Sequence, residues 1–196
     1  MLAYDADLEL FRDNFKRFMS EQIAPHYDQW EREGIMPRSV WSSLGENGFL
    51  CVDVPEEYGG YGVPTHYSLM LVEESARAGY CALSTAISCH SEIAAPYIQH
   101  IGTEEQKQYW LPKMVSGEVV GAIGMTEPGA GSDLQAMRTN AILQDDHYVL
   151  NGSKTFISNG QHADVVVLAV KTDPQARAKG VSLLLVDTHL EGFKKG

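Results

Sequence analysis

Val119-Val120-Gly121-Ala122-Ile123-Gly124-Met125-Thr126-Glu127-Pro128-Gly129-Ala130-Gly131-Ser132-Asp133-Leu134 is the stretch on which the reading of this chain turns. Its first half, Val119 to Thr126, has strand character. Its second half is a glycine-rich loop bearing hydroxyls and acids. Glycine removes the side chain that would block close approach, and successive backbone N–H groups in such a turn can point at a phosphate or a ring edge. Thr126 and Ser132 add hydroxyls that donate and accept. Taken alone, the run reads equally well as a surface turn. It is no dinucleotide fingerprint, because Gly129-x-Gly131-x-x-Leu134 lacks the third glycine and no βαβ pattern surrounds it.

Upstream of this stretch the apolar spacing is helical. Leu8, Phe11, Phe15, Phe18, Met19 and Ile23 fall on one helical face. Pro25 suits the first turn of a second helix that Gly34 can stop, and Pro37 and Gly48 bracket a third. Phe49 to Pro64, rich in glycine and proline, reads as an ordered loop. Helices are expected near Thr65 to Ala78 and Ala82 to Ile101, and Thr103-Glu104-Glu105-Gln106 has the form of a capping box that opens a further one. Downstream the period falls to two. Strands are expected at Val119 to Thr126, Thr139 to Gln144, His147 to Leu150, Lys154 to Ser158, Val165 to Val170 and Val181 to Val186, with Asn151-Gly152 and Asn159-Gly160 as tight turns. The fold class is therefore α+β and multidomain: an all-α unit over residues 1–118, then a strand-rich unit over 119–196 with too few strands to close a barrel.

Composition narrows the function. A chain of 196 residues with 44% apolar content can bury a core in each of two small domains. A net charge of −11 with no basic patch argues against nucleic acid as a partner. No run approaches the roughly 20 apolar residues of a membrane span, and the acidic start has no leader pattern, so a cytoplasmic location is expected, or the mitochondrial matrix in a eukaryote. Cys51, Cys81 and Cys89 form no metal-ligand or disulfide pattern and read as small buried side chains. The seven histidines form no triad or metal constellation.

The run Thr126-Glu127-Pro128-Gly129-Ala130-Gly131-Ser132-Asp133 resembles the signature of the acyl-CoA dehydrogenase family. Other runs resemble family segments in the same order: Val54-Pro55-Glu56-Glu57-Tyr58-Gly59-Gly60, Gly102-Thr103-Glu104-Glu105-Gln106, Leu111-Pro112-Lys113, and Asn151-Gly152-Ser153-Lys154 leading to Ile157-Ser158-Asn159-Gly160. The resemblance covers nearly the whole chain. It implies an N-terminal helical domain and a middle β-barrel domain, here incomplete, with the family's C-terminal four-helix domain absent from these residues.

The resemblance also implies FAD as cofactor and an acyl-CoA thioester as substrate. Ile123, Gly124, Met125, Thr126, Gly131 and Ser132 would line the flavin, with Met125 and Thr126 nearest the ring and Ser132 touching the CoA part of the substrate as well. Phe156, Ile157 and Ser158 match the second flavin segment, where many relatives have Trp, Ile and Thr. Phe keeps an aromatic face and Ser keeps a hydroxyl. Without the resemblance, Phe156 reads as a core aromatic of a strand. In the implied reaction a carboxylate takes the α proton while the β hydrogen leaves as hydride to the flavin, which passes its electrons to an electron-transfer flavoprotein. The family's base is a Glu of the C-terminal domain, so no catalytic residue is assigned here, and Glu127 and Asp133 read as structural acceptors. The isolated chain is expected to be inactive, and a homo-oligomer is expected of the whole protein. Acyl-CoA oxidases and flavin monooxygenases share the architecture and remain open, as does a non-catalytic ligand-binding or oligomerisation module for the isolated chain.

Overall fold

The computed structural model describes residues 5–196, so the first four positions of the expected helical domain lie outside the described residues. The chain divides into two compact units, the first ending at Val120 and the second beginning at Gly121, against an expected boundary near Glu118. Among the described residues no helix is long and apolar enough to cross a membrane.

The first unit contains α1 (Ala6–Phe18), α2 (Tyr27–Glu33), α3 (Ser39–Glu46), α4 (His66–Arg77), α5 (Cys81–Ile87), α6 (Ala95–Ile101) and α7 (Glu104–Val115). Its helix ends have local causes. Asp5 accepts the N–H groups of Asp7 and Leu8 and so starts α1. Gly34 ends α2 with φ at 74°, and Thr103 and Gln106 form the reciprocal capping box at the start of α7.

Two helices carry a wide π turn that the apolar spacing does not reveal. Met19–Ile23 extends α1, and Ser88–Ala94 joins α5 to α6. Each closes on the residue before a proline: Ala24 N–H donates to Met19 C=O ahead of Pro25, and Ala95 N–H donates to His90 C=O ahead of Pro96. A proline ring collides with the carbonyl four residues earlier, and widening the preceding turn relieves that collision; at Pro96 the helix continues to Ile101, whereas at Pro25 it gives way to a turn before Tyr27.

The core of this unit gathers Phe15, Phe18, Trp41, Leu44, Phe49, Leu71, Leu83 and Ile87. The Phe15 and Phe18 rings meet Phe49 at 4.9 and 5.2 Å, edge to face. A Cβ at Gly45 would lie 2.1 Å from Ser116 C=O, and one at Gly117 would lie 2.1 Å from Trp41 C=O. Two glycines thus let α3 and the end of α7 meet backbone to backbone. Cys51 and Cys89 are buried, whereas Cys81 is exposed at the start of α5, contrary to the expectation that all three are core.

The second unit is one sheet of β1 (Gly121–Gly124), β2 (Asn140–Gln144), β3 (His147–Asn151), β4 (Val165–Lys171) and β5 (Val181–Asp187). It is open and not closed into a barrel. β4 is its centre and is buried along Val165–Val170. Val181–Asp187 pairs antiparallel along the whole of β4. The β2–β3 hairpin turns at Asp145-Asp146, with Asp145 at φ 53°, so this tight connection uses aspartates and not the Asn-Gly pairs. The strand expected over Lys154 to Ser158 does not form. Phe156 stands at φ 56°, which no strand residue adopts, and Lys154 turns its side chain inward.

Candidate functional site

Both β1 and β2 run parallel to β4, β1 along Val165–Leu168 and β2 at Asn140 opposite Lys171. A strand has only two edges, and β5 occupies one of them entirely. The chain therefore leaves β4's other edge after Gly124 and returns to it at Thr139, whose carbonyl accepts the Lys171 N–H at 2.9 Å. Everything between is a loop thrown out from a single edge.

The loop has its own internal order. Glu127 and Ala130 exchange backbone hydrogen bonds, N–H to C=O at 2.8 and 3.1 Å, closing a tight turn with Pro128 and Gly129 at its tip. Asp133 accepts the Gln135 N–H and starts a single 3₁₀ turn at Leu134–Ala136. Ala130 and Met137 are buried and pack with Ala169 of β4, and Met125 rests against them. Between these anchors Gly131 and Ser132 are exposed. A Cβ on Gly131 would meet nothing within 4 Å, so packing within the chain does not require glycine there.

Lys154 to Ser158 runs beside the loop's first residues. The Thr155 N–H donates to Thr126 C=O at 2.9 Å, and Lys154 Nζ donates to Met125 C=O at 3.0 Å and to Glu127 Oε1 at 2.9 Å. Both side chains of that ion pair are nearly enclosed, 7% exposed for Lys154 and 6% for Glu127. The Glu127 carboxylate also accepts the Arg138 N–H at 2.7 Å and the Thr139 N–H at 3.0 Å. Burial by itself would raise this carboxyl, but the hydrogen bonds from Thr139, Arg138 and Lys154 outweigh it and hold Glu127 at about 2.

Ile123 lies half-buried in β1 opposite Val167. Gly124 is packed under Leu168, whose Cδ1 would be 2.6 Å from an added Cβ. Met125 and Thr126 adjoin Thr155 and Phe156 through the backbone bond just described. Ile157 packs partly buried against the cluster of Ala122, Ala163 and Val166, while Ser158 and Ser132 are exposed. Phe156 is not a core aromatic: it is 92% exposed on a left-handed backbone. An exposed aromatic on strained backbone beside a glycine-rich loop is an arrangement that a planar ligand can use. In the sequence, Lys154 stands only within a family-like run and Glu127 only as a structural acceptor, so neither signals the other. The available signal was a lysine just ahead of a strand-like run in a chain poor in cations.

The helical unit holds a second set of titratable groups. Ser68 Oγ of α4 donates to Glu92 Oε1 in the π turn, and burial followed by the nearby Asp53 pushes Glu92 up to about 7. Burial raises Asp53 as well, and its Oδ1 has no hydrogen-bond partner among the described residues. His90 is fully buried, with Nε2 3.0 Å from Met114 C=O and its ring 5.2 Å from that of Trp41. Among the described residues no group of three or more His, Cys, Asp or Glu could hold a metal ion.

The family profile described as the acyl-CoA dehydrogenase N-terminal domain matches residues 5–118, and that of the acyl-CoA dehydrogenase middle domain matches residues 122–196. The chain belongs to the acyl-CoA dehydrogenase family. It is 40% identical over 195 residues to the mitochondrial long-chain specific acyl-CoA dehydrogenase of Sus scrofa, covering 98% of this chain and 45% of that protein. The crystal structure of acyl-CoA dehydrogenase from Geobacillus kaustophilus superposes with a TM-score of 0.93 at 49% identity, over 97% of this chain and 50% of that one. The acyl-CoA dehydrogenase of Bacillus anthracis complexed with FAD superposes with a TM-score of 0.84 at 31% identity, over 96% of this chain and 32% of that one. The chain spans about half the length of the curated relatives it matches.

Proposed function

We propose that these residues form the helical and flavin-facing portion of an FAD-dependent acyl-CoA dehydrogenase, which removes the α and β hydrogens of an acyl-CoA thioester. The observation that carries this reading is the backbone contact between Thr126 and Thr155, which brings the segment of the exposed Phe156 to the start of the glycine-rich loop. The residues present fit a flavin. Phe156 offers an uncovered aromatic face, the Thr126, Ser132 and Ser158 hydroxyls offer donors, and Gly131 leaves room for a close approach of backbone to ligand. Ile123, Gly124 and Ile157 contribute as the packed floor beneath these groups. Ser132 is the residue assigned to both cofactor and CoA.

When bound, FAD supplies the two-electron chemistry that accepts the β hydrogen as hydride. The chain's own residues would bind and orient: Thr126 and Ser158 would offer hydrogen bonds to the ring system. No carboxylate of these residues is assigned to proton abstraction. Glu127 in particular is already committed to Lys154 and two backbone N–H groups. An electron-transfer flavoprotein as acceptor, assembly into a homo-oligomer, and a location in the cytoplasm or the mitochondrial matrix belong to the same reading.

Anaerobic mixing of the 196-residue chain with excess FAD and a series of acyl-CoAs tests it. No bleaching of the oxidised flavin band above background is expected, because positioned proton abstraction is worth about 10²–10⁴-fold and its carboxylate is not among these residues. Bleaching that disappears when a carboxylate of this chain is removed would overturn the assignment. A longer form carrying these residues should bleach with acyl-CoA and reoxidise slowly in air. Rapid reaction of its reduced flavin with oxygen would favour oxidase chemistry instead.

A further inference from the structure

We propose that Glu127 and Lys154 are a positioning pair, a latch that fixes the glycine-rich loop and the Lys154–Ser158 segment relative to each other, and with them the groups that would hold a flavin. The inference rests on the flavin reading above but goes beyond it, since neither residue touches the cofactor in that reading.

The geometry shows what the pair joins. Lys154 Nζ reaches Met125 C=O at the loop's exit from the sheet, while the Glu127 carboxylate takes the N–H groups of Arg138 and Thr139 at its return. The 2.9 Å ion pair ties those two ends to each other and to the second segment. One buried contact therefore meets three points of the backbone. An apolar pair of equal volume would fill the space but leave Met125 C=O and the Arg138 and Thr139 N–H groups unpartnered. For overall stability a buried ion pair often does no better than an apolar one. What distinguishes this pair is direction, because each hydrogen bond fixes a different backbone atom. A backbone bond from the Thr155 N–H to Thr126 C=O joins the two segments beside the pair. The other charged groups of these segments, Asp133 and Arg138, are on exposed residues of the loop.

Residue-resolved amide hydrogen exchange on the 196-residue chain reads the latch directly. In Lys154→Met the amides of Arg138, Thr139 and Thr155 should exchange about tenfold faster as a set, while the β4–β5 ladder keeps its protection. Lys154→Arg, which keeps the cation, should restore most of the protection. Faster exchange confined to residues 154–158 would overturn the proposal, because the segments would then be independent. Faster exchange spread evenly over β4 and β5 would also overturn it, because the pair would then be a general stabiliser. Should Lys154→Met fail to fold, Glu127→Gln keeps the side chain's shape and one acceptor and is read in the same way. A parallel FAD titration by fluorescence quenching should show about tenfold weaker binding for Lys154→Met, with recovery in Lys154→Arg. Equal affinity for wild type and Lys154→Met would remove the positioning role. A wild-type chain that quenches no flavin while its exchange remains coupled would count against the flavin reading and leave the latch standing.

Discussion

Replacing Glu92 by Gln should stabilise the helical unit in alkaline solution and leave it nearly unchanged in acid. Burial, and then the neighbouring Asp53, moves Glu92 from an ordinary 4.5 up to about 7 in the folded chain. The folded state therefore keeps a proton that the unfolded chain has released between those values. Stability contributed by protonated Glu92 is complete below about pH 4.5, declines as pH rises through 7, and is absent above it. Moving a carboxyl over that interval corresponds to about 3 kcal/mol. Glu92 is only half-buried, so water offsets part of this and a gain of about 1–2 kcal/mol is expected for Glu92→Gln at pH 8. Gln keeps an oxygen to accept the Ser68 hydroxyl, which limits the loss of packing and hydrogen bonding. Trp30, Trp41 and Trp110 all lie in the helical unit, so urea unfolding followed by tryptophan fluorescence at pH 4 and pH 8 isolates it. A gain of equal size at both pH values, or a loss at pH 8, would refute the reasoning, since the effect would then not come from ionisation.

In a longer form that binds substrate, Ser132→Ala should weaken acyl-CoA binding by about 1 kcal/mol, the worth of one neutral hydrogen bond. Calorimetry that finds no change removes Ser132 from the site. The sheet unit should lose stability as acid approaches pH 2, because Glu127 is held at about 2 against an ordinary 4.5. Its contribution is present above about pH 4.5 and lost as pH falls through that window, on the order of 3 kcal/mol. Glu127→Gln should flatten the acid limb in an NMR-monitored titration of the β4 amides, and an unchanged limb would refute the assignment.

Much of the architecture was legible without coordinates because it rests on short-range physics. The helical spacing from Leu8 to Ile23 and the capping box at Thr103 act within a few residues, and so does the β-branched run Val165–Val170. The prolines at 25 and 96 were equally visible, the first as the opening of a second helix and the second inside a helix running to Ile101, but the wide turn ahead of each was not. Proline usually marks a helix boundary, as Pro25 does between Ile23 and Tyr27, and only the structure shows the turn before Pro96 widening while the helix continues to Ile101. The Lys154 to Ser158 segment misled for a different reason. Its Thr, Phe and Ile favour strands, but strand formation needs an open sheet edge, and these residues are held instead by Lys154 reaching inward and by Phe156 at a positive φ.

Residue types and their order determined the two-unit plan, the family and the glycine-rich loop, because each depends on local preference or on a contiguous motif. Tertiary structure alone decided that this loop leaves and rejoins one edge of β4, that Phe156 faces solvent, and that Glu127 and Lys154 meet. A contact between residues 27 positions apart has no periodicity to announce it. Such a contact exists only once the sheet has set the register of β1 against β4, which brings the two segments within reach of a hydrogen bond.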